Sequence, residues 1–281
     1  MSKKKILTLN NISEKGLDRL PRESYEVASE FTQPDAILLR SMNLHEYNFA
    51  DSVTAIGRAG AGVNNIPVDR LSETGVAVFN APGANANAVK ELVISAMLLG
   101  CRNICQAFKY TEGLVDAGAD LGKQVEAGKK QFAGFELPGR TLGVIGLGAI
   151  GVQVANAARA LGMNVIGFDP TITVQRAWEL SADVQQAGSV DEVLRLADFV
   201  TFHVPLLEST RHLVSAERLP AMKDGVVIIN FARGGIVEDA AVLEALDSGK
   251  VYAYISDFPS AEIIKHPRAI ALPHLGASTS E

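Results

Sequence analysis

Long apolar runs are missing from this sequence. None reaches the ~18 residues of a membrane span, so no membrane partner is expected. Cysteine is scarce: Cys101 and Cys105 stand four apart on an expected helix. A disulfide framework needs more cysteines and a zinc site needs further ligands close by, so reduced thiols and no metal are expected. Basic clusters are also lacking. The net charge of −6, from 26 Lys and Arg against 32 Asp and Glu, argues against a nucleic-acid surface. Met1–Lys5 is basic, but Ile6–Leu9 is too short for the core of a secretory signal and reads as a lysine-flanked strand. The cytoplasm is the expected compartment. No segment is of low complexity and no repeat has a fixed period, which sets aside a repeat array.

What is present is ordinary for a globular protein: 47% hydrophobic and 21% charged residues over 281 positions, enough for two domains. Short β-branched runs alternate with helical patterns, as parallel sheets covered by helices require. The first block offers strands at Lys5–Leu9, Ala36–Arg40, Val53–Gly57 and Val76–Phe79, with helices at Glu14–Leu20 and Val68–Thr74. One long helix is expected over Asn87–Tyr110, and the glycine-rich stretch Thr111–Gly139 reads as an arm. A second block offers strands at Thr141–Ile145, Asn164–Phe168, Phe199–His203, Val226–Asn230 and Ala253–Ser256. Its helices are expected at Ile150–Leu161, Val190–Leu196, Ser215–Ala221 and Glu238–Ser248. The fold class is therefore α/β with two doubly wound parallel-sheet domains. One is a flavodoxin-like substrate domain over residues 1–92 with a return segment 273–281. The other is a Rossmann cofactor domain over 93–272 that includes the arm 111–139.

The strand Leu142–Ile145 runs into Gly146-Leu147-Gly148-Ala149-Ile150-Gly151, and a helix begins inside that turn. In this G-x-G-x-x-G arrangement Gly146 permits a tight turn, Gly148 lets backbone approach a pyrophosphate, and Gly151 lets the helix pack on the strand. The amides of Ala149 and Ile150 would face the anion. A glycine-rich turn with a purely structural job is the competing reading. A second strand, Asn164–Phe168, favours the cofactor because it ends at Asp169, 18 residues past Gly151. A carboxylate there accepts hydrogen bonds from ribose hydroxyls and repels a 2′-phosphate, so NAD rather than NADP is expected.

Three further side chains follow strands, where doubly wound sheets place ligands. Hydride exchange with a 2-keto acid needs a cation for the carboxylate, which suits Arg233. It needs an acid and base near neutrality, which suits His274. It also needs a carboxylate behind the imidazole, which suits Glu262. On residue type and spacing alone, each has an equally good bland reading: a turn arginine, a strand-end histidine and a solvated acid.

Asn230-Phe231-Ala232-Arg233-Gly234-Gly235-Ile236-Val237, Thr201-Phe202-His203-Val204-Pro205-Leu206 and Pro273-His274-Leu275-Gly276-Ala277-Ser278-Thr279 resemble signatures of the D-2-hydroxyacid dehydrogenase family. With the cofactor loop, the resemblance covers nearly the whole chain. It implies Arg233 as the substrate-binding arginine, Glu262 (29 residues on) as the partner of the histidine, and His274 as the acid and base. It implies Asp257 as the holder of the nicotinamide carboxamide, and His203 and Pro205 as lining for the cofactor. Phe231, Ala232, Gly276 and Ala277 belong to the same cofactor-facing motifs.

Within that family, Leu38-Leu39-Arg40-Ser41, Gly57 to Asn65 and Asn80 to Asn85 are most similar to the branch that oxidises 3-phosphoglycerate at the start of serine biosynthesis. The resemblance implies substrate contacts from the amides around Ala61 and Gly62, and from Ser41 and Asn85. Arg40 and Arg58 are the cations expected to take a phosphate, against the reading that both are solvated strand caps. Lys90 departs from the family, where the position is small or uncharged, and is either a phosphate contact, a rival proton donor or a solvated side chain. Glu262 and His274 are 12 apart, fewer than is usual. The family's chain normally continues beyond the position of Glu281, in some members into a regulatory domain, so a truncated form is expected. The arm implies a homodimer or higher homo-oligomer. A hydroxypyruvate or glyoxylate reductase and an NAD-sensing corepressor remain as alternatives.

Overall fold

The computed structural model describes residues 2–279. They divide into two compact units, residues 2–85 with Thr279, and Ala86–Ser278.

In the first unit, strands β1 (Lys4–Leu9), β2 (Tyr25–Ala28), β3 (Ala36–Leu39), β4 (Ala55–Arg58) and β5 (Ala77–Asn80) form one sheet in the order β2-β1-β3-β4-β5. Every pairing is parallel. Its helices are short: α1 (Glu14–Leu17) and α2 (Val68–Glu73). The core gathers Leu7, Ile37, Leu39 and Ile56 from the strands with Leu44, Ile66 and Leu71 from the connections. The order places a chain reversal between β1 and β3, the geometry at which such sheets bind ligands.

The second unit opens with α3 (Ala86–Cys101), α4 (Ile104–Glu112) and α5 (Leu121–Gly128). Its sheet contains β6 (Thr141–Ile145), β7 (Asn164–Phe168), β8 (Gln185–Gln186), β9 (Phe199–Phe202), β10 (Val226–Asn230), β11 (Val251–Ser256) and β12 (Ala269–Ala271). The order is β12-β11-β10-β9-β6-β7-β8, again with parallel pairings. The helices α6 (Ala149–Ala160), α7 (Val174–Glu179), α8 (Val190–Leu196), α9 (Asp239–Asp247) and α10 (Ala261–Lys265) connect the strands. β9 and β10 are buried along their whole length, which is why they read as continuous apolar runs.

Several expectations are corrected. The long helix is two, because Asn103 adopts a left-handed φ of 52° and ends the first. Asn tolerates that conformation, and its amide bonds outward to the Tyr252 hydroxyl at 2.8 Å. The division between units falls at the head of α3 and not at 92/93, because Val89 and Val93 pack into the core of the second unit with Leu142 and Val144. Residues 273–278 belong to the second unit as well, while Ser280 and Glu281 of the expected return segment lie outside the described residues. Ser215–Ala221 forms only a short 3₁₀ turn at Leu219–Ala221 around Pro220, which cannot donate a helical hydrogen bond. The arm is largely helical, with α5 between 3₁₀ turns at Gly118–Asp120 and Lys129–Phe132. β2, α7, β8 and α10 have no counterpart in the sequence reading.

Candidate active site

The cofactor turn follows β6. Gly146 has φ 95°, in the left-handed region, and a Cβ there would stand 2.7 Å from the carbonyl oxygen of His203. At Gly151 a Cβ would stand 1.9 Å from the carbonyl oxygen of Gly146, so α6 packs directly on the turn. Gly148 faces open space, and as N-cap of α6 it offers no side chain to the free amides behind it. This fits a bound pyrophosphate at the head of α6, where Ala149 and Ile150 lie. Asp169 orders the turn: Oδ2 accepts the Leu147 N–H at 2.8 Å, and Oδ1 accepts the N–H and hydroxyl of Thr171 at 2.8 and 3.1 Å. A carboxylate has roughly four acceptor positions, so about one is left for a ribose hydroxyl. A pocket of about 490 Å³ opens beside Asp169, lined also by Leu147, Pro170, Ile172 and Leu180.

The segment His203 to Pro205 lies against this turn, as the Gly146 contact shows. Burial pushes the His203 imidazole down to about 3, so it is neutral at pH 7, and its Nε2 pairs with the Thr201 hydroxyl at 3.2 Å.

At the end of β10, the buried Asn230 fastens the next turn. Its Oδ1 accepts the Ala232 N–H at 3.2 Å and its Nδ2 donates to the Arg233 carbonyl at 2.9 Å. Phe231 and Ala232 are buried, whereas Arg233 is half-buried and donates through Nη1 to the Ala232 carbonyl at 2.6 Å.

Asp257 follows β11 and is 1% exposed. Its backbone carbonyl accepts the His274 N–H at 3.2 Å, and its Oδ2 accepts the Gly276 N–H at 3.4 Å. Its Oδ1 is buried with no hydrogen-bond partner. An orphaned acceptor of this kind is costly, and the amide N–H of a nicotinamide carboxamide would satisfy it. Burial raises the Asp257 carboxyl, and the charges of His274 and Arg233 oppose that rise. His274 is exposed and holds φ 23°, uncommon for a residue with a Cβ. The Phe258 ring lies 5.2 Å from its imidazole and also packs near Gly234. Ala277 is half-buried in the turn that follows.

Glu262 does not join this group. It is exposed in the first turn of α10, a favourable position for an acid, and among the described residues no hydrogen bond or ion pair links it to His274. Its charge acts instead on Asp239, whose carboxyl is raised first by burial and then by Glu262.

Lys90 is half-buried at the start of α3, and its ammonium donates to Asn87 Oδ1. Val89 beside it lies 3.4 Å from where a Cβ on Gly276 would stand. In the first unit, the amides of Arg40, Ser41 and Met42 converge on Asn10 Oδ1 at 3.3, 3.1 and 2.9 Å. Arg58 Nε donates to the Arg40 carbonyl at 3.1 Å, and its guanidinium lies over Gly60. Asn80 donates to the Ala61 carbonyl at 2.6 Å; Gly62 and Asn85 are half-buried. The sequence reading missed Asn10, Asn230 and Phe258. An Asn directly after an expected strand was the available signal for the first, and Asn230 closes its own strand.

The profile of the D-isomer specific 2-hydroxyacid dehydrogenase, NAD binding domain, matches residues 95–276. The D-3-phosphoglycerate dehydrogenase of Methanocaldococcus jannaschii is 39% identical over 265 residues, 91% of this chain and 48% of that protein. The chain thus spans about half the length of the phosphoglycerate dehydrogenases it matches. The hydroxypyruvate reductase of Thermotoga maritima is 38% identical over 282 residues, 92% of this chain and 87% of that one. Among solved structures, the TT0316 protein of Thermus thermophilus superposes with a TM-score of 0.81 at 26% identity, covering 98% of this chain and 91% of the other. The glycine turn, the orphaned acceptor on Asp257 and these matches agree: the chain belongs to the D-isomer specific 2-hydroxyacid dehydrogenase family, with NAD as its cofactor.

Proposed function

We propose that the chain interconverts 3-phospho-D-glycerate and 3-phosphohydroxypyruvate with NAD, the opening reaction of serine biosynthesis. The observation that carries the chemistry is the grouping of Arg233 and His274 about Asp257, at the carboxyl ends of neighbouring parallel strands. Arg233 would bind the substrate carboxylate and polarise the C2 oxygen. His274 would take the proton from the C2 hydroxyl on oxidation and return it on reduction. NAD, when bound, would supply the acceptor for the C2 hydride, and NADH its donor. Gly148 and the amides at the head of α6 would hold the pyrophosphate, and Asp257 Oδ1 the carboxamide.

The choice of a phosphorylated acid is supported by the several relatives named D-3-phosphoglycerate dehydrogenase at 35–39% identity. Arg40 and Arg58 are the cations we assign to the phosphate, and Lys90 is a further candidate. The second reading is a hydroxypyruvate reductase, favoured by the match that spans most of the Thermotoga maritima enzyme. Comparing kcat/KM for 3-phosphohydroxypyruvate and hydroxypyruvate tests the choice. Two charge-assisted contacts of ~1.5–3 kcal/mol each predict a preference of ~10²–10⁴ for the phosphorylated acid. Equal values would assign the reductase activity instead.

We also propose self-association through residues 111–139, supported by the exposed Val115, Leu121 and Val125 on that stretch and Phe108 just before it. A closed two-fold dimer is the default symmetry, and light scattering at micromolar concentration checks it.

A further inference from the structure

Strands β1, β3 and β4 end level with one another in the first unit, because Leu9 pairs with Leu39 and Leu39 with Arg58. Asn10 and Arg40 are the first residues beyond two of these ends, and Arg58 closes the third. The turn Arg40-Ser41-Met42 is fastened there from both sides. On one side, three successive backbone N–H groups donate to a single atom, Asn10 Oδ1, at 3.3, 3.1 and 2.9 Å. On the other, Asn65 Nδ2 donates to the carbonyls of Arg40 and Met42 at 3.2 and 2.8 Å. Arg58 Nε donates to the Arg40 carbonyl as well, at 3.1 Å. Asn65 Oδ1 is buried without a hydrogen-bond partner, so the bonds to the turn are what orient that side chain. Asn10 holds a left-handed φ of 69°, which Asn tolerates better than most residues. Ser41 and Met42 are exposed, so little apolar burial fixes this turn and its hydrogen bonds must do so.

We infer that Asn10 and Asn65 are positioning residues for the phosphate end of the substrate, clamping the backbone that carries the Arg40 side chain. This deepens the phosphoglycerate reading and rests on its assignment of Arg40 to the phosphate. A guanidinium binds a phosphate through two parallel N–H bonds, which demand a fixed direction of approach. A long side chain keeps such a direction at low entropic cost only where its own backbone is already ordered. The three N–H groups that converge beside β1 form a concavity of partial positive charge, the backbone arrangement that takes an anion. Asn10 fills it with a neutral oxygen. The amides are satisfied, and no negative charge is set at the root of Arg40, where it would compete with the phosphate. Both asparagines act through Arg40 and not on the substrate.

The test is steady-state reduction by the full chain with saturating NADH, comparing 3-phosphohydroxypyruvate with hydroxypyruvate. Asn10→Gly keeps the left-handed backbone and removes the acceptor. Its preference for the phosphorylated acid should fall by about 10- to 100-fold, the worth of one charge-assisted contact. The loss should appear in KM for the phosphorylated acid and not in kcat, and hydroxypyruvate should lose far less. Asn65→Ser, which withdraws the donor from the two carbonyls, should show the same split. Asn10→Asp keeps an acceptor for the three amides and adds a charge beside Arg40. It should lie between Asn10→Gly and wild type at low ionic strength and approach wild type as salt screens the charge. An equal loss for both acids would make the asparagines mere scaffolding and overturn the inference. An unchanged preference in Asn10→Gly and Asn65→Ser, or an Asn10→Asp no better than Asn10→Gly at any salt, would also overturn it. If Asn10→Gly does not fold, Asn65→Ser carries the same comparison, and the recovery of the isosteric Asn10→Asp with salt decides it if neither folds. A wild-type chain with no preference overturns the phosphate reading and the clamp's role with it. A wild-type preference that the variants do not move overturns the clamp alone.

Discussion

Replacing Asn230 with Ala should damage catalysis without touching the cofactor turn. The side chain makes two hydrogen bonds, one from the buried Ala232 N–H at 3.2 Å and one to the Arg233 carbonyl at 2.9 Å. Leaving a buried polar group unsatisfied costs about 1–3 kcal/mol. Ala232 is fully within the fold and Arg233 is half-buried, so the second loss falls at the low end of that range. Together they amount to about 2–4 kcal/mol, which the turn recovers by moving toward water and carrying Arg233 with it. At about 1.4 kcal/mol per factor of ten, kcat/KM for the keto acid should fall by about 30- to 1000-fold. Asn230→Asp keeps the acceptor for Ala232 and loses the donor to Arg233, so its defect should be smaller, about tenfold. The assay is steady-state reduction with NADH saturating, beside NADH binding by fluorescence on the same protein. A kcat/KM within threefold of wild type in Asn230→Ala, or a parallel loss of NADH affinity, would refute the argument.

His274→Asn should lower kcat by ~10²–10⁴ while NADH binding persists, and near-normal turnover would transfer the proton role elsewhere. Asp169→Ser should weaken NADH binding at least tenfold by releasing the Leu147 N–H as well as losing the ribose acceptor; fluorescence titration checks this, and gain of NADPH use at unchanged NADH affinity would contradict it. His203 gives a pH dependence of stability. Its folded value of about 3 lies below the unfolded value of about 6.5, so the unfolded chain binds the extra proton between them. Stability is therefore full above about pH 6.5 and falls as pH drops toward 3, by up to about 1.4 kcal/mol per unit. Urea denaturation at pH 7 and pH 5 should show a smaller loss in His203→Gln than in wild type.

The parallel order of the second unit was readable because its central strands are buried on both faces and show as apolar runs such as Val226–Asn230. The glycine turn was readable because its chemistry is local: a left-handed Gly146 and a close approach at Gly151. Elements defined by distant partners were not. β2 is a short strand with an exposed Glu26, and its pairing with β1 is what makes it a strand. The break at Asn103 depends on Tyr252, 149 residues away. The resemblance implied Glu262 as the partner of His274; in the structure Glu262 is exposed in the first turn of α10, which Ser260 caps, a setting that depends on how the helix closes. Asn230 looked like the last residue of a strand, and its two bonds to the arginine turn appear only once the turn closes on it.

The register of the sheet gives a physical reason for the order of charges in the site. Asn230 pairs with Ser256 and Ser256 with Ala271, so β10, β11 and β12 end level with one another. Neighbouring strands lie about 4.8 Å apart, so the residues just beyond those ends emerge side by side at one edge of the sheet. Arg233, Asp257 and His274 leave these strands in the order cation, anion, proton carrier. Burial works against the charge on the central carboxylate, and the charges of His274 and Arg233 on its two sides work for it. With Asp257 ionised and His274 protonated, two cations meet one anion, and the group carries one net positive charge. The carboxylate of the proposed substrate brings one negative charge that neutralises it. Reversing the central and outer positions would leave the carboxylate beside only one cation and place the two cations side by side.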